Sequence, residues 1–159
     1  MKVSIIGGAT GSGKTTLILK LAKYLNLKGE KIGVIVQETG EVDYDEKTLT
    51  ELGIKTREVN SVCIPCSADL ERMELVDVQL LPSVVLVDSP EFETADDQLT
   101  EYVRKQTAGA EIVCMGKVWL DTDEHSDAVW NLIRNLNPDA KVLTYPENDD
   151  ENFLAQLLG

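Results

Sequence analysis

Apolar and polar positions along this 159-residue chain alternate between two rhythms. Short runs that are apolar almost throughout lie at Lys2 to Ile6, Lys31 to Gln37, Val84 to Asp88, Ile112 to Met115 and Lys141 to Thr144. Such runs have the character of parallel strands covered on both faces. Between them, apolar residues recur three and four apart, the mark of helices with one buried side. Lys14 to Lys28 is the clearest helix, with Leu17, Ile18, Leu21, Tyr24 and Leu25 turned inward and Gly29 as its C-terminal cap. Further helices are expected at Thr48 to Leu52, Ser67 to Leu80 (ended by Pro82), Ala95 to Thr107, Asp127 to Leu136 and Asn152 to Leu158. A short strand is expected at Ile54 to Val59, and the acidic stretch Glu38 to Glu46 begins as a loop. Strands and helices in alternation predict a three-layer α/β fold, a mostly parallel sheet with helices on both faces, forming one domain over 1–159.

The junction of the first strand and first helix carries the most specific signal. Gly8, Ala9, Thr10, Gly11, Ser12, Gly13, Lys14 and Thr15 spell the phosphate loop G-x-x-x-x-G-K-[ST] between a strand and a helix. Glycines let successive backbone N–H groups face one anion, and the helix, opening on Lys14, Thr15 and Thr16, adds its positive end. Lys14 is placed to reach the β- and γ-phosphates, and the Thr15 hydroxyl to ligate Mg2+. The expected ligand is a nucleoside triphosphate, GTP or ATP, in a P-loop NTPase fold.

Val84 to Asp88 adds a second element, four apolar residues and then an acid at the end of a strand. In an open α/β sheet that end borders the ligand crevice, so Asp88 is a candidate to hold magnesium. Glu38 closes the second strand on the same rim and is a candidate for positioning the attacking water or a metal.

Charge narrows the partners. A net charge of −13 disfavours nucleic acid as a target. No segment approaches the roughly 18 apolar residues of a membrane span, and the first apolar run is too short for a signal peptide. A soluble, cytoplasmic protein is expected.

Cys63 and Cys66 form a C-x-x-C pair. Two thiolates at that spacing are half of a zinc-type site. A four-iron cluster shared across a homodimer, a redox pair and ordinary thiols are the other readings that stay open. Cys114, inside an apolar strand, reads as core, and His125, the one histidine, as a helix-start surface residue.

Several segments together resemble the CobW, UreG and HypB family of metal-linked P-loop GTPases. Residues Val34 to Asp45 (V-I-V-Q-E-T-G-E-V-D-Y-D) are similar to its V-I-V-N-E-F-G-E-V-G-I-D stretch, and Cys63 to Leu70 (C-I-P-C-S-A-D-L) to its C-x-C-C segment. Ala110 to Lys117 resembles its strand ending in N-K, and Leu136 to Ala140 (L-N-P-D-A) its L-N-P-x-A element. The resemblance implies nucleotide hydrolysis coupled to metal handling or metallocofactor assembly, in the manner of a metallochaperone serving a metalloenzyme client. It implies Zn2+, Co2+ or Ni2+ at Cys63 and Cys66, and Lys117 stacked under a purine. The departures are specific. The guanine-reading N-K-x-D is Gly116-Lys117-Val118-Trp119 here, so ATP and GTP should be poorly distinguished unless Asp121 substitutes. Pro65 replaces the middle cysteine, and the separate C-terminal domain of the family has no counterpart, as in a reduced, divergent member. A small-molecule kinase or nucleotide transferase, and a nucleotide-gated module docking on a larger enzyme, are the alternatives.

Overall fold

A computed structural model describes residues 2–36, 50–51, 53–58, 79–93, 101–148 and 150–158. The acidic loop, most of the helix expected up to Leu80, and the start of the helix expected from Ala95 lie outside these residues. In chain order the described elements are β1 (Lys2–Val3), β2 (Ile6–Gly8), α1 (Lys14–Leu27), β3 (Gly33–Val36), β4 (Lys55–Glu58), β5 (Gln79–Leu80), β6 (Val84–Asp88), α2 (Glu101–Gly109), β7 (Ile112–Gly116), α3 (Asp123–Leu136), β8 (Lys141–Thr144) and α4 (Glu151–Leu158). Single 3-10 turns occupy Ser89–Glu91 and Val118–Leu120. The contacts fall into two compact units, residues 1–14 with 79–159 and residues 15–78.

The first unit is built on a parallel sheet ordered β2-β6-β7-β8, with β1 paired in parallel to β5. Val85, Val87, Val113, Met115 and Val142 form one buried layer with Val129 and Ile133 of α3, and Val103 of α2 packs against it. The alternate residues Val84, Leu86, Ile112 and Cys114 are buried as well. Both faces of β6 and β7 are therefore covered, which explains why their sequences are apolar without alternation. Phe153, Leu154 and Leu157 bury one side of α4, and the Phe153 ring meets Tyr145 edge-on at 5.1 Å.

In the second unit β3 and β4 pair in parallel, Gly33 opposite Lys55 through Val36 opposite Glu58. Ala22 and Ile54 form a small buried cluster with Leu19, Ile32 and Val34. Helix α1 ends as its sequence predicts. Gly29, at φ +79°, donates its N–H to Asn26 O (2.9 Å), and Glu30 N donates to Leu25 O (3.1 Å). That pairing is a Schellman cap, which satisfies carbonyls the helix leaves open.

Three expectations change. The first strand is interrupted after Val3 and resumes at Ile6, running to Gly8 rather than stopping at Ile6. Gln79 and Leu80, expected to end a helix, instead pair with Lys2 and Val3. Helix α3 starts at Asp123, four residues before Asp127, because Thr122 caps it: its Oγ1 accepts from His125 N at 3.2 Å. Asp123 and Glu124 then sit in the first turn, where the helix dipole favours acids.

Asn137 ties the C-terminus of α2 to the end of α3. Its Nδ2 donates to Thr107 O (2.9 Å), Ala108 O (3.1 Å) and Ala110 O (2.8 Å), and its Oδ1 accepts from Ala140 N (3.1 Å). Asn137 is buried, so losing the amide would orphan carbonyls that water does not reach freely. Asn137→Ala should lower unfolding free energy by about 1–3 kcal/mol. Urea denaturation checks this, and a midpoint equal to that of the parent chain would show that the amide is dispensable.

Candidate nucleotide site

The loop after β2 keeps its glycines for steric reasons that can be measured. Gly8 has φ +141°, and a Cβ there would lie 2.5 Å from Leu86 O and 2.8 Å from Ser12 Oγ. Any side chain would push the loop off β6, so the first motif glycine is a packing requirement. Gly13, at φ +96°, turns the chain into α1. The turn is closed by Ser12 N donating to Ala9 O at 3.2 Å. Lys14 opens α1 and donates from Nζ to Ala9 O at 2.8 Å, which folds its ammonium back over the loop. Thr15 and Thr16 follow in the first turn of α1. Thr10 and Gly11 form the exposed crest of the loop.

Parallel pairing brings the ends of β2, β6 and β7 to one rim. Gly8 lies opposite Leu86, and Asp88 opposite Gly116. The Asp88 side chain is only 12% exposed. Its Oδ2 accepts from Lys117 Nζ at 2.5 Å, while its Oδ1 is buried with no hydrogen-bond partner. An unpartnered buried carboxylate oxygen is unfavourable and is the kind of donor a hard cation takes. The donor set thus fits magnesium.

Lys117 is the one non-glycine residue among those described with positive φ, at +56°. Besides Asp88, its Nζ donates to Gly11 O at 3.0 Å. A single ammonium therefore joins the loop after β2, the end of β6 and the end of β7. Gly116 is not forced by packing: a Cβ there would meet Val87 O and Ser12 O at 3.5 and 3.6 Å, ordinary contact distances. Trp119, at the position of the guanine-reading acid, is 42% exposed.

Asp121 belongs to a network that the sequence did not disclose. Ser89 Oγ donates to its Oδ2 (2.5 Å), Thr122 N donates to its Oδ1 (2.8 Å), and His125 Nδ1 lies 2.9 and 3.0 Å from its two oxygens. A carboxylate only accepts, so Nδ1 carries the proton. Desolvation opposes the charged form of Asp121, yet the hydrogen bonds from Ser89, His125 and Thr122 outweigh it and hold the carboxyl below its ordinary value. With its donors already supplied and its side chain 6% exposed, Asp121 is not poised to read a guanine edge. The sequence signals for this network were the Asp121–His125 spacing of four and the Thr122 cap. Burial pushes the Cys114 thiol up to about 12, as befits a core residue. Glu38, Cys63 and Cys66 lie outside the described residues. A cavity of about 260 Å³ beside Gly8, Thr10 and Asp88 is walled by Phe92, Gln106 and Thr107.

A glycine loop entering a helix beside a parallel strand that ends in aspartate defines a P-loop nucleotide-binding protein of α/β architecture. Residues 2–78 match the family model described as CobW/HypB/UreG, nucleotide-binding domain. The chain is similar in fold to the hydrogenase maturation factor HypB from Archaeoglobus fulgidus, at 22% identity and TM-score 0.63, covering 98% of this chain and 88% of that one. It is similar also to HypB from Helicobacter pylori, solved in complex with nickel, at 19% identity and TM-score 0.64, covering 98% and 84%. The Zn(II)-bound YjiA GTPase from E. coli matches at 19% identity and TM-score 0.64 over all of this chain and 61% of its own length. No curated protein matches the sequence significantly.

The lowered Asp121 carboxyl has a signed consequence. Unfolding returns it to the ordinary value, so its contribution to stability is complete above about pH 4 and is lost as pH falls through the lower folded value. Between about pH 5 and pH 3, the urea-midpoint gap between the parent chain and Asp121→Asn should therefore narrow. A gap constant over that range would mean that Asp121 is not held ionised by its donors.

Proposed function

We propose that this chain is a nucleoside triphosphatase of the P-loop type whose hydrolysis drives a metal-handling or metallocofactor-assembly step. The observation that carries the reading is the obligate Gly8 cradle against β6, with Asp88 on the same rim. The backbone N–H groups of 8–13 would bind the β-phosphate, and the Lys14 ammonium would leave the Ala9 carbonyl for the β- and γ-oxygens. By motif position, Thr15 supplies a hydroxyl and Asp88 a carboxylate to magnesium, which when bound neutralises charge on the transferring phosphoryl group. Glu38 is assigned, from sequence alone, to orient the attacking water. The reaction is in-line attack of water on the γ-phosphorus, with phosphate and the nucleoside diphosphate as products. Lys14 and the loop N–H groups stabilise the charge spreading over the phosphoryl oxygens.

The metal ion is cargo in this reading. Cys63 and Cys66 would hold a borderline divalent ion through two thiolates, with the remaining ligands from a second copy or a client. The match of residues 2–78 to the family model and the nickel and zinc complexes named for its fold neighbours support this assignment. The cavity beside Gly8 and Thr10 favours a second reading, a kinase whose acceptor sits there. Phosphate release that depends on an added acceptor would select it.

Lys14→Ala should weaken triphosphate binding by roughly ten- to a hundredfold, the worth of about 1.5–3 kcal/mol for a charge-assisted contact, in a chain that still folds. Calorimetric titration decides this, and unchanged affinity in the folded variant would remove the phosphate-loop assignment. The same titration should place ATP and GTP within about tenfold of each other, since no free carboxylate is poised at the base-reading position.

Cobalt tests the cargo site. Co(II) added to the parent chain should give thiolate charge-transfer absorption in the near ultraviolet, absent from the Cys63→Ser, Cys66→Ser double variant. If the parent chain shows no such band, the two cysteines are ordinary thiols and the metal-handling reading loses its ligand set.

A further inference from the structure

Lys117 is held in a left-handed backbone conformation that a residue with a side chain seldom adopts. What the conformation accomplishes is visible at the other end of the side chain. Its ammonium bridges Asp88 Oδ2 at 2.5 Å and Gly11 O at 3.0 Å. Both partners belong to the rim where phosphate and metal would meet. The remaining Asp88 oxygen is enclosed and unpartnered. The carboxylate is thus already matched with one positive charge, tethered by a side chain that is itself 38% exposed.

A divalent ion taking the unpartnered Oδ1 would sit beside the ammonium already held on Oδ2. Two cations on one carboxylate repel at close range in a partly desolvated site, so the two compete for it. A triphosphate changes the balance because its oxygens offer the ammonium another partner of greater negative charge.

We propose that Lys117 is a tethered counter-ion that competes with the divalent metal for Asp88 and yields it only when a triphosphate draws the ammonium away. The inference rests on the nucleotide-site reading above. It makes metal uptake conditional on nucleotide, and linkage requires the reverse coupling to be equal. Lys117 then acts as a positioning residue, setting the order in which the site fills rather than reading the base.

The experiment titrates Mn(II), free of nucleotide, into the full chain and follows the unbound ion by electron paramagnetic resonance. Lys117→Gln should bind Mn(II) about tenfold more tightly than the parent chain, whereas Lys117→Arg, which keeps the charge, should match the parent. Asp88→Asn combined with Lys117→Gln should erase the gain. Lys117→Met serves as a second neutral variant, and circular dichroism confirms that each variant is folded. Equal Mn(II) affinity in the parent and both neutral variants would overturn the proposal, as would a gain that survives Asp88→Asn. Inorganic tripolyphosphate separates the two levels of the argument. If it fails to bind the parent chain, the nucleotide-site reading falls and the proposal with it. If it binds but the neutral variants gain no Mn(II) affinity, only the proposal falls.

Discussion

The close approach of Gly8 to the carbonyl of Leu86 is the constraint on which the rest of the candidate site depends. A Cβ at Gly8 would stand 2.5 Å from that oxygen, inside any tolerable contact. Because the loop lies flat on β6, its crest sits beside the end of the same strand, where Asp88 emerges. Parallel register then brings Gly116 opposite Asp88, so that the next residue, Lys117, reaches both the loop and the acid. The three components of the site come from segments up to about a hundred residues apart, and one steric contact sets their spacing.

Charge is distributed against the grain of the whole molecule. The chain carries a net charge of −13, yet the rim gathers two ammonium groups, Lys14 and Lys117, around backbone carbonyls and one carboxylate. An acidic surface repels polyanions at long range, but that field is screened beyond about 8–10 Å at ordinary ionic strength. Within the rim, short contacts dominate. A small anion is therefore compatible with the site even though a nucleic acid is disfavoured by the surface.

The legible parts of the fold are those where local pattern and tertiary role coincide. Val84–Asp88 and Ile112–Gly116 stand where their apolar runs put them, because strands covered on both faces need no partner information to be apolar. The Gly29 cap was legible for the same reason, since a helix end needs only its own carbonyls and a residue tolerant of positive φ. Gln79 and Leu80 were not, because a two-residue strand has no period and is defined by its partner, Lys2–Val3. The start of α3 was missed because Asp123, Glu124 and His125 are polar, while the deciding feature was the cap, Thr122. Asn137 was visible as part of a motif, but its task, holding three carbonyls at the end of α2, required the packing of two helices. The identity of Lys117 was plain, but its partners follow from strand order and a left-handed turn, neither of which the linear sequence encodes locally.

Loss of the guanine-reading acid and the state of Asp121 are two sides of one change in the loop after β7. A carboxylate that reads a base must be free at its edge, and Asp121 is instead satisfied by Ser89, Thr122 and His125. Ser89 directly follows Asp88, so the last residue of β6 and the one after it are each clamped to the 117–121 segment, one through an ammonium and one through a hydroxyl. In a loop that merely presented groups to a base, those side chains would face outward. Here its charged residues face the rim and its exposed residues, Trp119 and Leu120, are apolar. The segment is thus organised around the rim where Gly11 and Asp88 meet.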